Sequence, residues 1–423
     1  MDYQEAVEYI QGGSVPRARY GLAKLTQTLH LLGDPQKKVR FVHVAGTNGK
    51  GSCSAMMANI LHRAGWRTGL YTSPHLRRYN ERFQVDGQNI SDEDLIEAVE
   101  KVKAACEQMG GVPIVFEVLT LMALWYFAKA KCDFVAFEVG IGGKLDATNC
   151  IPTPAVAMIT QLGFDHTETL GNTIEEIAAQ KGGIAKRGGQ LVMAKQEPAA
   201  MRVVEEICAE VGCGFHVADP ERLQVLSASP EGQRLQDKQF GQLLLPLAGR
   251  HQVRNAANVL TAVEVLRQEG YAIPDEAVRD GIATTIWPAR FERLHRHPDF
   301  VLDGGHNPQC VQVAVQALQD FYPGKKVVFL TGMMRDKDTA SMLSEMGKVA
   351  KAFVCLHADS SRALEAQELA GIIKQNLQIQ AYASDSVAQG CALAQQLAGE
   401  DGVVCALGSL YLAGEVRAVF GRQ

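Results

Sequence analysis

At 423 residues the chain exceeds what one compact core holds, which points to two domains. With 47% hydrophobic and 21% charged residues it has the make-up of an ordinary globular protein, not of a disordered or fibrous one. A net charge of -5 offers no general attraction to nucleic acid or to an anionic membrane, so an anionic ligand has to be held in a locally positive pocket.

The opening MDYQEAVEYI is acidic and amphipathic instead of basic and then apolar, so it does not read as a signal peptide. Strand-like runs follow with helical stretches between them: VRFVHVAG (39–46), RTGLYTS (67–73), CDFVAFEVG (132–140), AVAMIT (155–160) and GQLVMAK (189–195). Alternation of this kind predicts a mostly parallel sheet covered on both faces by helices. The longest apolar stretch, VLTLMALWYFA (118–128), is too short to cross a bilayer and reads as a buried helix. From 223 to 247 turn residues separate short strand-like pieces, a small antiparallel insertion. The helical QVRNAANVLTAVEVLRQEG (252–270) then ends at a glycine cap. Prolines and charges crowd together in WPARFERLHRHPDF (287–300), and a second strand and helix alternation begins at VLDGG. The ten cysteines are scattered, with no CxxC pair to suggest zinc or a redox dithiol, and read as free thiols in a reducing cytoplasm.

The most informative stretch is VRFVHVAGTNGKGSCSA (39–55). Glycines at 46, 49 and 51 let the backbone turn tightly against a phosphate, a helix beginning near Lys50 adds its positive end, and Lys50 supplies a mobile charge. The usual P-loop spacing is not met, because Val44 stands at the outer glycine position and Gly51 separates Lys50 from Ser52. A nucleotide site also needs a carboxylate for magnesium at the end of a neighbouring strand, and FVAFEVGIGG supplies Glu138. The same segment lacks the dinucleotide fingerprint, which requires glycine where Leu145 stands, and no guanine-specific NKxD motif is present. ATP is therefore the expected nucleotide. The expected fold class is α/β: an N-terminal P-loop-type ATPase domain with a mostly parallel sheet and the small antiparallel insertion (1–292), plus a smaller Rossmann-like α/β domain (299–423). The linker is placed at about 290–298, where it would act as a hinge.

HVAGTNGKGS (43–52), TSPHL (72–76), EVGIGGKLDATN (138–149), DHTETLG (165–171), HQVRNAANVL (251–260), DGGHNP (303–308) and GSLYLAGEVR (408–417) run in order across nearly the whole chain. Together they resemble the folylpolyglutamate synthase and dihydrofolate synthase family, the folate branch of the Mur ligase superfamily. The resemblance implies a cytoplasmic enzyme, ADP-forming, that joins L-glutamate to a folate or to dihydropteroate through an acyl phosphate, with ATP and two magnesium ions. It implies small-molecule substrates, no nucleic acid, no membrane, and a monomer. A folylpolyglutamate synthase without the dihydropteroate reaction, and a nucleotide-binding switch protein, are the alternative readings.

Carried over residue by residue, the resemblance assigns Gly46, Thr47, Asn48, Gly49, Lys50, Gly51 and Ser52 to the ATP phosphates, with Lys50 catalytic. Ser73 and Glu138 would hold one magnesium, and His166 with Glu138 the second. Lys181 matches a lysine that is carbamylated, which turns a cation into a carboxylate-like metal ligand; its neighbours Gln180 and Gly182 depart from the family's usual glutamate and alanine. Asn255 would read adenine and Arg290 the phosphates, although glycine is usual where Ala289 stands. Asp303 would face the ribose with His306 nearby, and Gly305 replaces an alanine. Phe116, Thr120, Asp146 and Ala147 lie where relatives bind the pterin.

Overall fold

The computed structural model describes residues 1–12 and 17–422. The chain divides into two compact units. The first comprises Met1–Gln224, Gln236–Leu243 and Val253–Thr285, and the second Val225–Leu235, Leu244–Gln252 and Ile286–Gln423.

The first unit is built on an eight-stranded sheet. Its strands are β1 (Arg40–Ala45), β2 (Thr68–Tyr71), β3 (Phe83–Val85), β4 (Gln88–Asn89), β5 (Phe134–Glu138), β6 (Val156–Ile159), β7 (Gln190–Ala194) and β8 (Gly214–Ala218), in spatial order β8-β7-β6-β1-β5-β2-β3-β4. Pairing is parallel from β8 to β2, and antiparallel where β3 and β4 complete the edge. The strands are apolar without alternation because helices cover both faces: β1 is buried at every residue after Arg40. Phe41 and Phe137 meet with ring centroids 5.4 Å apart, in a core that includes Leu119 and Met122 of helix α2 (Val115–Lys129). Further along, Ile159, Leu191 and Met193 pack with Ala178 of α3 (Ile174–Gly182) and Val204 of α4 (Pro198–Val211).

Two more helices matter to the site. Helix α1 (Lys50–Arg63) leaves the glycine loop directly, and α5 (Arg250–Gln268) lies against the sheet, where Asn258 Nδ2 donates to Ile159 O at 3.1 Å. The expected insertion is a three-stranded sheet, β9 (Gln224–Ser229), β10 (Gly232–Asp237) and β11 (Gly241–Leu245), in that order.

The second unit carries a six-stranded sheet: β12 (Glu292–His295), β13 (Asp299–Leu302), β14 (Val327–Thr331), β15 (Ala350–Cys355), β16 (Ala381–Ala383) and β17 (Val403–Ala406), ordered β12-β13-β17-β14-β15-β16. All pairs are parallel except β12 with β13. Phe329 and Phe353 stack at its centre, 5.5 Å apart. The segment 290–298, expected as a linker, holds strand β12, and the division between units falls after Thr285 instead. An edge strand with one solvated face has the same mixture of charges and flanking prolines as a connector, and only its pairing tells the two apart.

Candidate active site

The glycine loop leaves the carboxyl end of β1, the central position of the sheet, where open α/β sheets bind their ligands. Its conformation depends on two glycines. Gly46 has φ 146, and a Cβ there would lie 1.8 Å from Thr160 Oγ1; Gly49 has φ 89, and its Cβ would lie 2.4 Å from Asn255 Oδ1. Thr160, at the end of β6, also donates its hydroxyl to Asn48 O at 2.7 Å. Thr47 and Asn48 both give their N–H groups to Gln161 O, at 3.0 and 3.1 Å, and Gly163 N–H donates to Thr47 Oγ1 at 3.1 Å. Thr47 and Asn48 therefore spend their backbone donors on shaping the loop. The first bond of α1 is Cys53 N–H to Gly49 O at 3.0 Å, so an anion would meet the opening turn of α1, whose leading N–H groups have no carbonyl within the helix to bond.

Strand register brings the charges together. Val44 pairs with Glu138 across β1 and β5, so the loop and the carboxylate emerge side by side. Lys50 Nζ lies 4.0 Å from Glu138 Oε1 and donates to Thr47 O at 3.2 Å. On the next strand, Ser73 follows β2 and gives its N–H to Glu138 Oε2 at 3.1 Å. Glu138 is buried and Lys50 half-buried.

Lys181 is buried as well, in the last turn of α3. That helix starts with a capping box, in which Thr173 Oγ1 accepts from Glu176 N–H and the Glu176 carboxylate accepts from Thr173 N–H. The Lys181 ammonium nitrogen donates to Gly46 O at 2.9 Å. Burial, with Lys50 nearby as a like charge, lowers its pKa to about 7. Gly182 lets α4 approach, since a Cβ there would stand 2.9 Å from Ile207 Cδ1. His166, half-exposed with φ 52, lies 4.0 Å from Asp165 Oδ1.

Asn255 lies buried on α5 with its amide against Gly49. Phe116 lays its ring over Gly140, whose added Cβ would meet Cζ at 2.5 Å, and Thr120 Oγ1 donates to Phe116 O at 2.8 Å. Asp146 is buried and accepts from Ile141 N–H at 2.9 Å, Thr148 N–H at 3.0 Å and Thr148 Oγ1 at 2.6 Å. Burial raises its pKa against those hydrogen bonds. Asp146 thus shapes the loop in which Ala147, next to it, is also buried.

In the second unit, Asp303 follows β13 and accepts from Phe291 N–H at 2.9 Å and Gly305 N–H at 2.8 Å. Burial raises its pKa, opposed by the Arg290 guanidinium. Arg290 Nη1 donates to Ala289 O at 2.8 Å, and His306 Nδ1 lies 3.0 Å from Gly304 O. Ala289 has φ 56, the left-handed region in which glycine is the easier residue.

Sequence reasoning missed Thr160 and Gln161, which carry no motif, and Glu117. The buried Glu117 carboxylate accepts from Tyr20 and Gly21 N–H at 3.0 Å each, and so ties the chain's start to α2.

Among the described residues no group of three or more His, Cys, Asp or Glu side chains is placed to hold a metal ion. One buried carboxylate beside a serine nevertheless suits magnesium, which keeps several waters and takes its other ligands from substrate phosphates. An imidazole such as that of His166 is the least suited of the expected donors. No helix among the described residues is long and apolar enough to cross a membrane.

A glycine-lysine loop on a central parallel strand, with a carboxylate at the adjoining strand end, is the arrangement of a site for nucleotide phosphates, and the two domains of the chain are those of a Mur ligase. The Mur ligase middle domain model matches residues 44–263, and the Mur ligase glutamate ligase domain model matches residues 289–410. The chain is 34% identical over 426 residues to a dihydrofolate synthase/folylpolyglutamate synthase of Bacillus subtilis, covering 98% of each chain. It superposes on a Mycobacterium tuberculosis folylpolyglutamate synthase complexed with ADP with a TM-score of 0.90, at 29% identity and full coverage of both chains. On an Escherichia coli FolC in complex with DHPP and ADP the TM-score is 0.88, at 29% identity over 100% of this chain and 98% of that one. The chain belongs to the dihydrofolate synthase/folylpolyglutamate synthase family of Mur ligases.

Proposed function

We propose that this chain spends ATP to join L-glutamate to the carboxylate of a folate and also of dihydropteroate, releasing ADP and phosphate. The observation that supports it best is the pairing of Lys50 with Glu138 at adjoining strand ends, beside a loop in which a Cβ at Gly46 or Gly49 would collide.

A carboxylate is a poor electrophile, so its oxygen first attacks the γ-phosphorus and ADP leaves. The amine of glutamate then attacks the acyl carbon, and phosphate leaves. The first step brings two anions together. At about 4 Å and an effective dielectric of about 20, each pair of unit charges repels by roughly 4 kcal/mol. Lys50 offsets that repulsion, and the opening turn of α1 receives the transferring phosphate. Magnesium, when bound, supplies further neutralisation of the phosphate oxygens, with Glu138 and Ser73 as its holders. Lys181 needs a neutral amine to take up carbon dioxide as a carbamate, and a pKa of about 7 keeps much of it neutral near physiological pH. Its carbamate would then add a second anionic oxygen donor beside Gly46. Phe116 and the Asp146–Ala147 loop are assigned to the pterin.

The test is ADP release with glutamate, offering dihydropteroate in one reaction and tetrahydrofolate in another. Release in both, each requiring glutamate, is expected. Release with tetrahydrofolate alone would reduce the assignment to folylpolyglutamate synthesis, and ADP formed without glutamate would defeat it.

A further inference from the structure

Helix α4 ends in a turn that brings two cysteines together. Gly212, with φ 72, gives its N–H to Ala209 O at 3.3 Å, and Cys213 N–H donates back to Cys208 O at 2.8 Å. This pair of bonds is the Schellman termination, in which the residue after the left-handed glycine reaches back to the residue five positions before it, usually with a contact between their side chains. Apolar side chains ordinarily fill that contact, whereas here both are thiols. Cys208 is buried under the helix and Cys213 half-buried beside it. Each thiol is the leading influence on the other's ionisation, and the Lys186 backbone N–H acts on Cys213 as well. Cys213 donates its S–H to Gly214 O at 3.5 Å, and that is the proton it gives up on ionising.

We propose that Cys208 and Cys213 form a redox-active dithiol, which closes to an intramolecular disulfide on reaction with a low-molecular-weight disulfide such as oxidised glutathione.

The two sulfurs have different parts. The neighbouring Cys208 thiol, with the Lys186 N–H as a lesser cause, lowers the Cys213 pKa against burial, while the Cys213 thiol and burial raise that of Cys208. By contrast, burial pushes Cys132, Cys150, Cys355 and Cys391 up to about 12. Cys213, half-buried where Cys208 is buried, is the sulfur a small disulfide can reach, and so it is the attacking thiolate once ionised. It attacks one sulfur of the small disulfide, the S–S bond breaks, and one thiol departs with the proton that Cys213 gave up. Cys208 then loses its proton to solvent and attacks Cys213 Sγ, and the second small thiol departs, taking up a proton. The protein loses two hydrogens and two electrons, and the small disulfide gains them. The contact does not depend on the ligase reaction.

Both cysteines fall in one tryptic peptide, Val203–Arg222. The full chain is incubated with oxidised glutathione, quenched in acid, denatured, alkylated and digested. The expected peptide carries no alkyl label and is lighter by two hydrogens, about 2 Da, until dithiothreitol restores both labels. In Cys208→Ser the same treatment traps glutathione on Cys213, and in Cys213→Ser it leaves Cys208 to be alkylated after denaturation. A wild-type peptide that keeps both labels after oxidation, or that holds glutathione on Cys213 without closing, overturns the proposal.

Discussion

The Lys181 ammonium nitrogen donates to the carbonyl of Gly46 at 2.9 Å, across 135 residues of chain. A helix-end lysine from one side of the sheet is thereby tied to the first residue of the phosphate loop. Lys50 stands close enough to act on it as a like charge, which together with burial leaves the Lys181 amine partly neutral near pH 7, while Lys50 faces the Glu138 carboxylate. A carbamate on Lys181 would put a negative charge where that amine now stands.

Replacing Lys181 with alanine is therefore expected to do two things. Turnover falls by at least about 100-fold, as when a group stabilising charge in the transition state is lost. Folding stability falls by about 1–3 kcal/mol, because the Gly46 carbonyl loses its buried donor. With labelled bicarbonate, carbon NMR of the wild-type protein should show a carbamate signal that the variant lacks. The same spectrum from both proteins would remove the carbamate from the assignment, and turnover near the wild-type rate would remove Lys181 itself.

A Cβ at Gly46 has no room. It would sit 1.8 Å from Thr160 Oγ1 at a φ of 146, so Gly46→Ala is expected to cost about 1–3 kcal/mol and to weaken ADP binding at least ten-fold. Adding Thr160→Ala removes the colliding hydroxyl and should restore part of the lost stability, read as the unfolding midpoint. If the double variant is no more stable than the single one, the collision is not the cause.

How much of this was legible in the sequence follows from how local each feature is. The glycine loop, Lys50 and Glu138 could be read because a strand, a turn and a helix start lie within a dozen residues, and because apolar strands announce their ends. The register that sets Val44 opposite Glu138 was not written in either segment, but parallel pairing of two buried strands made it a natural outcome. Lys181 against Gly46 depends on where α3 docks, which no local pattern encodes. Thr160 and Gln161 act through one hydroxyl and one backbone carbonyl, features that any residue after a strand offers. The strand at Glu292–His295 was mistaken for a linker because its partner, not its composition, makes it a strand. Cys208 and Cys213 passed as scattered thiols, since only the glycine termination between them creates the contact.

Glu138→Gln separates charge from shape. Glutamine keeps an acceptor for the Ser73 N–H, now 3.1 Å from the carboxylate, but no longer neutralises Lys50. Without magnesium, ADP should bind several-fold more tightly than to the wild type, because an anion beside the phosphates has gone. With magnesium, that gain should vanish and turnover should fall by about 100- to 1000-fold. Calorimetric titrations with and without chelator give both numbers. Equal weakening in the two conditions would mean that Glu138 only positions Ser73.

Stability against acid should depend on His43. Its Nε2 lies 2.9 Å from Thr148 Oγ1, and burial, with Lys186 as a lesser cause, holds its pKa down to about 3. The unfolded chain takes up that proton near pH 6.5, so between about 6.5 and 3 the unfolded state binds more protons than the folded one. The contribution is complete above that window and is lost as pH falls through it, with a slope approaching about 1.4 kcal/mol per pH unit. His75 adds the same sign, its pKa lowered to about 3 by burial first and Arg82 second. His43→Gln retains a side chain able to reach Thr148 but does not titrate. It should start less stable at pH 7 and lose less on going to pH 5 than the wild type, as read from denaturant midpoints at the two pH values. Parallel losses in both proteins would show that His43 is protonated as readily in the folded chain as in the unfolded one.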